Sequence, residues 1–145
     1  MAFQFSLAAV LRYRESVEKR EEIALERIAQ EIARTRRLIE HLSAEMARAE
    51  EKLRNTLVEP ISALQLQVLK SDLQRLIDQK KVTIESLVPL EQKRDEQMRA
   101  YQAAHRARRM LSEMAGRQRA AYEQQRARAE QRFLDDIFAA RAQRS

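Results

Sequence analysis

The stretch LERIAQEIARTRRLIEHLSAEMARAEEKL, residues 25–53, advances in alternating steps of three and four through Leu25, Ile28, Ile32, Thr35, Ile39, Leu42, Met46, Ala49 and Leu53. Seven of these nine positions carry large apolar side chains, and the residues between them are mostly Arg, Glu, Gln and Ala. A narrow apolar stripe with charged flanks, repeating every seven residues, is the seam of a coiled coil.

The rhythm breaks at Asn55-Thr56-Leu57-Val58-Glu59-Pro60 and restarts as Leu66, Leu69, Leu73 and Leu76, then Thr83 or Ile84, Leu87 and Leu90, with Lys80 the one charged seam member. Pro60 has no amide hydrogen to donate and disfavours helical geometry at Glu59, while Ser62 is placed to cap a second helix. Two long helices joined so briefly fold back as an antiparallel hairpin, each seam burying the other. The expected fold is all-α: a single antiparallel coiled-coil domain over residues 1–145, with helix 1 about 5–56, a turn about 57–61, and a longer helix 2 about 62–140. Pro89 lies between Leu87 and Leu90, and heptad spacing on both sides of it predicts a kink near Pro89 rather than a stop.

Composition agrees. One Gly and two Pro in 145 residues, 34% charged and 5% aromatic, are the usage of long helices, and more than about four-fifths helix is expected. A two-helix hairpin has no deep interior in which to desolvate a substrate, so no enzyme activity and no small-molecule substrate are expected. No cofactor is expected either: one glycine cannot build a phosphate loop, and without cysteine there is no disulfide or thiolate metal site. The only histidines, His41 and His105, fall on different helices at unequal distances from the turn and read as surface or seam-edge residues. The acids, Glu18 beside Glu22 among them, read as ordinary solvated faces. No apolar run reaches the roughly 20 residues of a membrane span, and the first residues lack signal-peptide order, which predicts a cytoplasmic chain.

The net charge of +6 is concentrated. Eleven arginines and five acids between Arg99 and Arg144 account for all of it. With residue 59 as the fold-back point, Leu25 faces the region of Lys93 and Phe3 faces about Ala115. Residues 116–145 then overhang, about 45 Å of helix at 1.5 Å per residue, with an apolar tip at Phe133, Leu134, Ile137 and Phe138. A helix without a buried face is marginal alone, so this tail either frays or orders against another protein. The arginines of residues 106–128 lack aromatic platforms and any groove-reading motif, and nucleic-acid binding is not expected.

Phe3-Gln4-Phe5-Ser6-Leu7, followed by Val10-Leu11-Arg12-Tyr13-Arg14-Glu15, resembles the opening of the FliJ family, a coiled-coil component of the bacterial flagellar export apparatus. Phe133-Leu134-Asp135-Asp136-Ile137 resembles that family's closing pattern, and Ile61-Ser62-Ala63 with Leu66, Leu69, Leu73 and Leu76 its second-helix start. The chain departs from the family in carrying Leu69 and Asp72 where aromatic residues are usual.

The resemblance implies a stalk-like regulator of the hexameric flagellar export ATPase. Its paired termini would enter the ATPase ring, its hairpin side would reach the membrane export gate, and it would assist export chaperones. It would work at the cytoplasmic face of the inner membrane. The virulence injectisome has an equivalent stalk, which is the alternative reading, and a basic nucleic-acid-associated coiled coil is a further one. The residues expected to engage the ring are Phe3, Phe5, Leu7, Leu11, Arg117, Arg119, Arg126, Arg128, Phe133, Leu134, Asp135, Asp136, Ile137 and Phe138. Those expected at the gate are Leu66, Leu69, Leu73 and Leu76.

Overall fold

The computed structural model describes residues 2–58 and 61–144. Among the described residues two helices make up the fold: α1, Ala8–Thr56, of 49 residues, and α2, Ala63–Arg144, of 82 residues. They pair antiparallel, as the two successive seams require.

The ends follow from local chemistry. Helix α1 begins at Ala8 rather than near residue 5, with the Ala8 amide donating to the Phe5 carbonyl at 3.1 Å. The segment before it is half-buried at Phe3, Phe5 and Leu7 and exposed at Gln4 and Ser6. That period of two is how non-helical chain puts successive apolar side chains on one side; a helix would scatter them. At its other end α1 closes through the Leu57 amide, which reaches the Leu53 and Arg54 carbonyls at 3.3 and 3.2 Å. The break assigned to Glu59 and Pro60 lies outside the described residues.

Ser62 caps α2 as expected, and Gln65 completes the box: the Gln65 amide donates to Ser62 Oγ at 3.2 Å, and the Ser62 amide donates to Gln65 Oε1 at 3.4 Å. Helix α2 runs through Pro89, whose ring is exposed, and continues to Arg144 rather than stopping near residue 140.

The chain divides into two compact units, one from Glu22 to Ala100 and one combining the residues up to Glu21 with those from Tyr101 onward. In the first, Ile32, Leu42 and Leu76 are buried. Leu25, Ile28, Thr35, Ile39, Met46, Ala49 and Leu53 are half-buried, as are Leu66, Leu69, Leu73, Lys80, Thr83, Leu87 and Leu90 on α2. Between the two candidates for the next seam position, packing selects Thr83; Ile84 is 45% exposed. A threonine fits because its hydroxyl donates to the carbonyl four residues back, Thr83 to Gln79 at 2.7 Å and Thr35 to Glu31 at 2.9 Å, so no donor is left stranded beside the seam. Arg36 and Glu91 link the two helices across the flank at 3.5 Å; both are exposed enough that solvent screens most of the attraction.

Candidate functional site

The second unit contains both chain ends and most of the residues expected to bind a partner. Along α2 its seam side is Tyr101, Ala104, Arg108, Leu111, Ala115 and Tyr122, with Ala104 buried and the rest half-buried. These positions keep the heptad phase of Leu66, Leu73 and Leu87, but their apolar volume is smaller. Facing them are Leu7, Leu11, Val17 and Glu18, all half-buried, preceded by Phe3 and Phe5.

Glu18 is therefore not on a solvated face. Arg108 Nε donates to Glu18 Oε2 at 2.6 Å, His105 Nδ1 lies 3.5 Å from Glu18 Oε1, and Arg108 Nη2 lies 3.3 Å from His105 Nδ1. The Tyr101 ring stacks on His105 with centroids 5.9 Å apart. The Arg108 hydrogen bond holds the Glu18 carboxyl below its ordinary range, against the opposing effect of desolvation and with a further hydrogen bond from His105. The same bond raises Arg108. A seam-phase count would have located the pair, since Glu18 stands seven residues before Leu25 and fourteen before Ile32.

Phe3 and Tyr122 are in contact, ring centroids 5.5 Å apart and tilted by 43°. Phe3 was expected opposite Ala115. The difference has a geometric cause: Phe3 lies in the non-helical segment before Ala8, where extended chain spans up to about 3.3 Å per residue instead of the 1.5 Å of a helix. The segment therefore reaches farther along α2 than a residue-for-residue count from Glu59 allows. Residues 116–121 are exposed, as an overhang from Gly116 predicts, and Tyr122 beyond them is half-buried because the segment before α1 brings Phe3 to it.

From residue 123 to 144 every described side chain is exposed except Ile137, which is half-buried. Phe133, Leu134 and Phe138 are 66, 47 and 64% exposed. With Ile137 they stand four apart in two pairs, which places them on one helix face. Asp135 and Asp136 are exposed beside them, and Gln131 donates to Asp135 at 3.0 Å.

The tail is less basic than its arginines suggested. Five arginines between Glu123 and Arg144 are met by four acids, whereas six arginines between Arg99 and Tyr122 are met by Glu113 alone. Arg119 pairs with Glu123 at 3.3 Å and Arg126 with Glu130 at 3.4 Å, each one turn along the helix, while Arg117 and Arg128 are exposed. The positive field thus centres on the paired end and the tip is apolar.

The leucines expected at the export gate are the first seam residues of α2. Leu66, Leu69 and Leu73 are half-buried and Leu76 buried, all along the seam. The exposed apolar side chains nearby are Leu57, Val58, Leu64 and Val68, and Leu64 and Val68 line a shallow groove of about 480 Å³ with Thr56, Ile61, Gln65 and Leu69. His41 lies 3.1 Å from Glu45 on the same helix face. Among the described residues no group of acids and histidines is arranged to hold a metal ion, and no helix is long and apolar enough to cross a membrane.

The family model described as Flagellar FliJ protein matches residues 3–145. The chain belongs to the FliJ family. No curated protein and no solved structure matches it. Membership of the FliJ family assigns the chain to flagellar protein export, in which the family is a structural and regulatory component.

Proposed function

We propose that this FliJ-family chain is the stalk-like accessory of the hexameric flagellar export ATPase, regulating turnover by inserting its terminal end into the ring. One observation carries the reading: past the Phe3–Tyr122 contact, α2 continues as helix for 22 residues, 123–144, about 33 Å, and exposes Phe133, Leu134 and Phe138. A helix with its apolar face open to water gains by burying that face against a partner. The arginines of the paired end would draw an acidic ring entrance toward it and speed encounter, while the aromatic tip would supply most of the affinity.

In this reading Phe3, Phe5, Leu7 and Leu11 shape the base from which the tail projects, and α2 from Arg117 to Phe138 makes the contact. The turn end, with Leu66, Leu69, Leu73 and Leu76 organising the helices behind it, would serve the membrane export gate, placing the protein peripherally at the inner membrane, where it would also assist export chaperones. The test is the turnover of the purified export ATPase ring with the full chain and with a chain ending at residue 129. Stimulation by the full chain and none by the shorter one is expected. Equal stimulation would reject insertion of the tail.

A further inference from the structure

Most of the seam is apolar, but at one level a charge of α1 meets an opposite charge of α2. Glu18 occupies the heptad position of Leu25, Ile32 and Ile39, and Arg108 that of Leu66, Leu73 and Leu87. Their side chains are only 18 and 25% exposed, so each has lost much of its water and is compensated chiefly by the other; His105 Nδ1, within reach of both, can donate to Glu18 or accept from Arg108 but not both at once.

The apolar levels around them discriminate poorly between alignments, because one leucine or alanine is an adequate neighbour for another. The charged level discriminates sharply. Sliding α2 by one heptad would set Glu18 against Tyr101 or Ala115, and Arg108 against Leu11 or Leu25, leaving two partly desolvated charges without counter-ions. Pairing two copies in parallel would bring Glu18 against Glu18 through α1, or Arg108 against Arg108 through α2.

We propose that Glu18 and Arg108, with His105 beside them, form a register lock: a polar contact in the seam that specifies antiparallel pairing in one alignment. It thereby sets the residue of α2 at which pairing ends and the length of helix left standing beyond it. A slip of one heptad would move that point by about 10 Å. The lock is a property of the chain alone and does not depend on the partner proposed above.

The chain has no cysteine, so introduced pairs report alignment without interference. Phe3→Cys with Tyr122→Cys reports the alignment seen here; Phe3→Cys with Ala115→Cys or Ala129→Cys reports a slip of one heptad in either direction. Each pair is placed in the full chain, in E18L/R108L and in the charge swap E18R/R108E, and disulfide formation is timed. The unlocked chain should remain helical and melt no lower than the parent. The parent should cross-link at 122 at least about tenfold faster than at 115 or 129, E18L/R108L should lose that preference to within about threefold, and E18R/R108E should restore it. The proposal is overturned if E18L/R108L keeps the tenfold preference, if it loses its helical content, or if the charge swap fails to restore alignment.

Discussion

Phe3 and Tyr122 pack as a tilted pair, centroids 5.5 Å apart, and beyond this contact every described side chain of α2 except Ile137 is exposed. Because Phe3 precedes α1, the contact holds a non-helical segment against the side of α2. Such an aromatic pair is worth about 0.5–1.5 kcal/mol beyond its buried area. Phe3→Ala should therefore release the segment before Ala8 without disturbing the seam. Amide exchange of residues 3–11 should rise several-fold while the melting temperature moves by only a few degrees. Unchanged exchange there would show that Leu7 and Leu11 alone anchor the segment.

The seam itself bears on stability through a few buried side chains. Ile32 is 4% exposed and Leu42 5%, so Ile32→Ala or Leu42→Ala should each cost about 2–3 kcal/mol in denaturant unfolding. Glu40, exposed on the opposite flank, should tolerate alanine to within about 0.5 kcal/mol.

The all-α hairpin was legible because heptad spacing survives wherever apolar side chains mark it, from Leu25 to Leu53 and from Leu66 to Leu90. Three features were less legible. Glu18 and Arg108 are seam residues by phase, and counting sevens would have found both, but phase alone does not say which contact a polar seam residue makes. The start of α1 depended on recognising the alternation of Phe3, Phe5 and Leu7 as a period of two within a chain otherwise read at 3.6. The contact of Phe3 with Tyr122 depended on the longer rise of the non-helical segment before Ala8, which a residue-for-residue count omits. The apolar tip was readable as composition, and its exposure follows from its lying past Tyr122.

Acid should weaken the Glu18 contact selectively. The Arg108 hydrogen bond depresses the Glu18 carboxyl below its ordinary 4.5, so the folded state favours the ionised form. A depressed pKa contributes stability that is fully present above the unfolded value and is lost as pH falls through the folded one. In Glu18→Gln that contribution is absent at every pH. The difference in melting temperature between parent and Glu18→Gln should accordingly be constant from pH 8 down to about pH 5, then narrow as acid protonates the parent. A difference that stays constant into strong acid would mean that the carboxylate charge contributes nothing to the contact.

The capping box at the start of α2 makes a smaller and separable contribution. Ser62 Oγ accepts from the Gln65 amide, so Ser62→Ala should cost about 1 kcal/mol, and Gln65→Ala less because it removes only the longer return bond. Both are measurable by urea unfolding, with the slope unchanged.

The last prediction separates charge from apolar surface at the terminal end. The positive field arises between Arg99 and Tyr122, a stretch of α2 that carries six arginines and one acid, and not in the nearly balanced tail. Arg117→Ser with Arg119→Ser should therefore slow association with the export ATPase ring and flatten its dependence on salt, since exposed charges act through a screening length of about 8 Å at physiological ionic strength. Arg126→Ser with Arg128→Ser should do less, because the tail around them carries nearly as many acids as arginines and the local sum is close to zero. Phe133→Ala with Phe138→Ala should instead speed dissociation, because these rings are 66 and 64% exposed in the free chain and supply the surface that a partner would bury. None of these changes should move the melting temperature by more than about 2 °C, as none touches the paired seam. Rates measured at two salt concentrations decide the assignment: if the arginine changes at 117 and 119 alter only dissociation, or the phenylalanine changes alter only association, charge and apolar tip do not divide the work in this way.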